Sequence, residues 1–296
     1  MSLAPGHIID RYIVEEALGN GDVSSTFRVK HSMHGTQHVL KLLAPELADE
    51  DVRERFLSAA RSLSRLNKPH LSKITDVVVE PGRAGLIHDL LPGRDLGTFL
   101  REEGPMEMGA ICTFMVPVLN ALHQVHERGI VHRDLKPANI FLQDTPEGIW
   151  PVLLDFGIAR ITERTIRNSG RGKHGPTIGT PGYMSPEQVR SEPDIDRRCD
   201  LWAAGVVLYE SMVGGKAFAA TNDFDTMQEV VSGSWGNAEG RAALPDEVRL
   251  PLKRCLAVSR DKRYPTARAL RAALELAAKR HRKAEEKAAR SYDEEE

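Results

Sequence analysis

Along the first ninety residues, hydrophobic side chains come in short runs of β-branched and aromatic types, broken by glycine and proline. Tyr12-Ile13-Val14 and Phe27-Arg28-Val29 bracket Gly19-Asn20-Gly21 and predict a hairpin. Residues 38–43 read as a third strand. Residues 50–67 switch to helical spacing, with Val52, Phe56, Leu63 and Leu66 near one face and Pro69 just beyond. Two more strands are predicted over 74–79 and 85–89, separated by Pro81-Gly82, before Leu91-Pro92-Gly93 ends the pattern. From Leu96 onward the helical period dominates. Helices are predicted over 111–128, where Pro117 perturbs the apolar face, and over 200–213. A third is predicted over 265–278, with Pro265 at its start and Leu270 and Leu274 one turn apart. The expected organisation is a strand-rich unit 1–91, a helical unit 92–278 and a charged tail 279–296. The tail holds six basic and six acidic side chains and reads as a solvated helix end, with a linker or partner-binding segment as the sharper alternative.

Composition narrows the class. The chain has 296 residues, 41% hydrophobic and 28% charged, enough for an ordinary core and too apolar for wholesale disorder. Lys and Arg number 40 against 42 Asp and Glu, a net charge of −2, so no nucleic-acid partner is expected. No apolar run approaches the roughly 18 residues of a membrane span, and residues 1–6 show no secretory pattern. Cys112, Cys199 and Cys255 are too few and too scattered for a disulfide framework or a metal pair, which suits a reduced, cytoplasmic protein.

The densest chemistry lies in His132-Arg133-Asp134-Leu135-Lys136-Pro137-Ala138-Asn139, which puts a carboxylate, cations and an amide in one short loop. Sixteen residues after Asn139 comes Asp155-Phe156-Gly157, delivered by the apolar stretch Val152-Leu153-Leu154. Asp and Asn supply hard oxygen ligands, which suit Mg²⁺ held between protein and polyphosphate.

This pair of motifs resembles the H-R-D-L-x-x-x-N and D-F-G signatures of protein kinases, in particular the bacterial Ser/Thr kinases of the Hanks type. The resemblance runs from about Tyr12 to Leu274. Leu18-Gly19-Asn20-Gly21 falls at the phosphate loop, Lys41 on the third strand and Ser185-Pro186-Glu187 at A-P-E. Asp200-Leu201-Trp202-Ala203-Ala204-Gly205 resembles the helix that anchors the catalytic loop, and Arg263 matches the ion-pair partner of Glu187. It implies an α+β, bilobal fold, with a small β-rich lobe and a larger helical one, and ATP between them. It also implies roles: Asp134 orients the substrate hydroxyl and accepts its proton, Lys136 neutralises the transferring phosphoryl group, and Lys41 grips the α- and β-phosphates. Asn139 and Asp155 would hold Mg²⁺, with Mn²⁺ as the alternative ion. Leu18, Gly19, Gly21, Val39 and Phe141 would enclose the nucleotide, Asp89 to Leu91 would form the hinge, and His88 would stand at the gatekeeper position. Lys136 and Gly179-Thr180 point to serine and threonine acceptors on protein substrates, with homodimers as a route to autophosphorylation.

Two segments depart from the family pattern. Ser24 replaces the third loop glycine and Asp22 a second, placing a side chain and a negative charge near a polyanion. Ala59 stands where the family has the helix glutamate that pairs with the strand lysine, a loss worth about tenfold to a hundredfold in rate. Two readings follow: a working, slower Ser/Thr kinase, or a pseudokinase that binds nucleotide or acts as a scaffold. Between residues 158 and 178, Arg160, Arg164, Arg167, Arg171 and Lys173 face Glu163 alone. Thr162, Thr165, Ser169 and Thr177 are the candidate regulatory acceptors there, Thr177 first, and a phosphate on them would pair with Arg133 and order the segment.

Overall fold

The computed structural model describes residues 3–20, 24–44, 68–155 and 180–293, with Glu54, Leu57, Ser58, Ala60 and Ser64 in between, and side chains as far as Lys287. The N-terminal part is a six-stranded antiparallel sheet in the order β1-β2-β3-β4-β6-β5. Its strands are β1 (Ile8–Ile9), β2 (Tyr12–Asn20), β3 (Ser24–His31), β4 (Gln37–Leu43), β5 (Ile74–Glu80) and β6 (Arg83–Asp89). Alternation of side chains along a strand sorts the sheet into two faces. Val14, Phe27, Val29, Leu40 and Ile87 are buried together on one of them. Thr26, Lys41 and Leu86 lie opposite one another in register, as do Arg28, Val39 and His88, and these occupy the other face. The two ends of the sheet are tied by side chains: Arg11 and the Tyr12 hydroxyl both reach Asp76, at 2.9 and 2.7 Å. The predicted hairpin and strands are all present, and Glu54, Leu57, Ser58, Ala60 and Ser64 are helical, inside the predicted 50–67 helix.

A second, three-stranded sheet follows: β7 (Gly93–Asp95), β8 (Ile140–Thr145) and β9 (Gly148–Leu153). It was not predicted beyond the apolar stretch that ends at Leu154. The rest is helical: α1 (Leu96–Glu103), α2 (Met108–His126), α3 (Pro186–Val189), α4 (Arg198–Val213), α5 (Asp223–Ser232), α6 (Ala238–Ala243), α7 (Asp246–Cys255) and α8 (Ala267–Asp293). The last helix departs from expectation at both ends. Thr266, not Pro265, precedes it and accepts from the Ala269 amide at 3.1 Å as a cap. It then runs through the charged segment to Asp293, because 279–290, His281 apart, is built of Ala, Lys, Arg and Glu, all strong helix formers.

α4 is the axis of the helical part. Every residue from Cys199 to Tyr209 is buried, so it is enclosed on all faces rather than along one stripe. Gly205 allows this closeness: a Cβ built there would stand 2.5 Å from the Cys255 Cβ on α7. We expect Gly205→Ala to destabilise the protein by about 1–3 kcal/mol through overpacking, although alanine is the better helix former. Thermal unfolding of the two proteins checks this, and an unchanged or raised Tm would contradict it.

Candidate active site

The loop between α2 and β8 is shaped from below by one buried carboxylate. Asp200, near the start of α4, accepts from the His132 and Arg133 amides at 2.8 and 2.7 Å and from His126 Nε2 at 2.7 Å. Burial pushes its carboxyl pKa up, but these donors outweigh burial and leave it below the ordinary carboxylate range, hence ionised. Arg133 takes φ +68°, a left-handed conformation that costs a non-glycine residue energy and survives where surroundings over-determine it. Gln188 of α3 adds a second tie, donating to the Arg133 carbonyl at 2.8 Å. Beyond this bend the chain turns through a 3₁₀ segment, Pro137–Asn139, that buries Asn139.

Asp134 is thereby held between two partners. Lys136 Nζ lies 3.0 and 3.2 Å from its two carboxylate oxygens. Asn139 Nδ2 donates to the Asp134 carbonyl at 2.7 Å and to Oδ2 at 3.1 Å. Lys136 also reaches Thr180 Oγ1, at 3.5 Å. The amide nitrogen of Asn139 is committed to Asp134, which leaves its oxygen as the donor available to a cation.

Lys41 and Asp155 come together from the two parts of the chain. Lys41 Nζ is 2.5 Å from Asp155 Oδ2. Asp155 sits just past β9 with φ +63°. Burial alone would raise its pKa; the Lys41 ammonium outweighs that and holds the carboxyl below its usual range. Its position is tied to the catalytic loop by the Leu154 amide, which donates to the Asn139 carbonyl at 2.9 Å, and by His132 Nε2, which donates to the Leu154 carbonyl at 2.8 Å. Two carboxylates can stand in for the missing helix glutamate, Asp155 through the metal site or Glu54 after a shift of the helix, and Lys41 takes Asp155. Glu54 is exposed on its helix.

The remaining predicted nucleotide residues fall around this pair. Val39 shares the sheet face of Lys41, Phe141 is half-buried on β8, Leu18 and Gly19 end β2, and Asp89 to Leu91 connect the two sheets. Gly19 has open space where a Cβ would be. Gly21, Asp22, Ala59 and the candidate acceptors Thr162, Thr165, Ser169 and Thr177 lie outside the described residues.

Sequence reading passed over the supports. His126 and Gln188 carry no motif of their own, and only the fold brings them under Arg133. His88, expected at the gatekeeper position, pairs its Nδ1 with Ser72 Oγ at 2.9 Å, and burial lowers its pKa, so the ring is neutral beside Lys41. Thr26 is placed directly across from Lys41.

Comparisons with known proteins bear on the family and the fold. A family model described as protein kinase domain matches residues 12–274. The serine/threonine-protein kinase PkaA of Streptomyces coelicolor is 33% identical over 282 residues, covering 90% of this chain and 50% of that protein. The DNA damage-responsive serine/threonine-protein kinase RqkA of Deinococcus radiodurans is 34% identical over 278 residues, 91% of this chain and 40% of that one. The chain thus spans half or less of the length of these relatives. Among solved structures, the PknI kinase domain of Mycobacterium tuberculosis superposes with a TM-score of 0.73 at 24% identity, over 94% of this chain and 100% of that one, a likeness of fold.

Proposed function

The chain belongs to the protein kinase family, and from that premise we propose that it transfers the γ-phosphoryl group of ATP to serine and threonine hydroxyls of proteins. The observation that carries this reading is the pair of ion contacts: Asp134 held by Lys136 and Asn139, and Asp155 held by Lys41. Asp134 stands ready to orient a hydroxyl and accept its proton, and the Lys136 ammonium offsets charge that builds on the phosphoryl oxygens. Lys41 is positioned to leave Asp155 for the nucleotide phosphates. Such a reaction asks mainly for positioning and charge compensation.

A divalent cation fits the donors that are present. The Asp155 carboxylate is ionised and already paired with a cation, and the Asn139 amide oxygen is spare. When bound there, Mg²⁺ or Mn²⁺ would offset phosphate charge. Protein substrates include, on this reading, a second copy of the chain, and the basic segment from 158 to 178 supplies acceptors for a charge-driven switch. Three free thiols, with Cys199 and Cys255 buried, support a cytoplasmic setting.

Incubation with γ-labelled ATP and Mg²⁺, followed by phosphoamino-acid analysis, tests the proposal. Labelled phosphoserine or phosphothreonine is expected. Nucleotide binding with no transfer to protein would favour the pseudokinase reading instead. Lys41→Met should weaken ATP binding about tenfold to a hundredfold by removing one charge-assisted contact. Calorimetric titration showing unchanged affinity would mean that another cation grips the phosphates.

A further inference from the structure

α8 outlasts the body of the protein. Leu270, Leu274 and Ala277 are buried, and His281 is the last residue tied inward, with Nδ1 3.4 Å from Glu247 of α7. At about 100° per residue, Leu276, Lys279, Arg280, Lys283 and Lys287 fall within about 60° of one line on the opposite side of the helix. All five are exposed, Leu276 by 49%. Among the described residues, none of the four cations has a carboxylate partner. Lys279, Lys283 and Lys287 repeat at i, i+4, i+8, a spacing at which like charges repel and weaken a helix. A stripe of this kind about 16 Å long is relieved by a surface that brings negative charge to all of it at once.

We propose that this face of α8 docks the protein on an anionic phospholipid surface. Phosphate headgroups would meet the four cations, and Leu276 would enter the interface at the inner end of the stripe. The side chains of 276–287 favour lipid over nucleic acid. They include no aromatic ring free to stack on bases, since the one imidazole is turned to α7, and Leu276 has an acyl interface to enter but nothing apolar to meet on a phosphate backbone. The helix carries no large apolar residue between Leu276 and Lys287, so it lies on the surface, held by charge and loosened by salt.

Cosedimentation of the full chain, without nucleotide, tests this apart from any catalytic reading. The wild type should bind vesicles of phosphatidylcholine with phosphatidylglycerol, release in high salt and ignore pure phosphatidylcholine. Together, Lys279→Glu, Lys283→Glu and Lys287→Glu should cut partitioning on the order of a hundredfold, at roughly fivefold per cation. A charge-matched control, Lys30→Glu, Lys216→Glu and Lys262→Glu on other exposed surfaces, should still bind. Melting curves like the wild type's would show that both variants fold. Absence of wild-type binding, equal binding to neutral vesicles, equal losses in the two variants, or tighter binding to a DNA duplex at matched phosphate concentration would each overturn the proposal.

Discussion

Asp134→Asn is expected to lower phosphoryl transfer by about 10²- to 10⁴-fold while leaving nucleotide affinity nearly unchanged. Asparagine is almost isosteric and can still receive the Asn139 amide and lie beside Lys136, so the loop keeps its shape. It cannot take up a proton. It also removes the negative charge that attracts Lys136, freeing the ammonium to wander from the 3.0 Å contact. Both changes act on the transfer step, because Lys41, Val39 and Phe141, the expected nucleotide contacts, are untouched. Single-turnover rates at saturating ATP, with separate titration of ATP binding, divide the two effects. A rate within about tenfold of wild type would mean that Asp134 neither accepts the proton nor sets the hydroxyl. Parallel loss of affinity would mean that the substitution had deformed the loop.

The second large effect concerns stability. Arg263 and Glu187 are a buried, bidentate pair at 2.6 and 2.8 Å, with side chains 0% and 4% exposed. The guanidinium also donates to the Ala257, Arg198 and Val258 carbonyls and packs 5.0 Å from the Trp202 ring centroid. Removing the carboxylate alone strands a cation among groups that cannot neutralise it. Glu187→Ala should therefore destabilise by about 3–5 kcal/mol, a fall of roughly 10 °C in Tm for a chain of this size. Making both residues methionine at once should recover much of that, since apolar replacement of a whole buried pair is often neutral. Loss below about 1 kcal/mol in the single variant, or no recovery in the double, would show that the pair is not the strained feature of this corner.

The features legible in the sequence were those with local causes. β2 and β3 announced themselves through β-branched and aromatic runs around Gly19-Asn20-Gly21, and α2 and α4 through long apolar stretches. Asp134, Asn139 and Asp155 were found because short motifs hold them at fixed spacing. What stayed hidden depends on distant partners. β7 has three residues, and β9 contains Gly148 and Pro151, which local preference reads as turn; only pairing with β8 makes them strands. That Lys41 takes Asp155 rather than Glu54 could be decided only where the two halves of the chain meet. The full reach of α8 was missed because charge was read as a fraying end, although Lys, Arg, Glu and Ala are good helix formers.

The enclosure of α4 has a consequence for how this protein loses its structure. A helix buried on every side has no face suited to water, so it cannot stand while its neighbours are absent. It rests on α2, on α7, which Gly205 admits to close contact, and on Arg263, whose hydrogen bond to the Arg198 carbonyl reaches its first turn. Those supports are spread over 150 residues of sequence, and none can leave without exposing the rest. The helical part should therefore melt as one cooperative block. The sheet that bears Lys41 has its own core and is free to open at lower cost. Hydrogen exchange would then divide the molecule along the nucleotide cleft: slow, uniform protection on the side of Asp134 and graded protection on the side of Lys41.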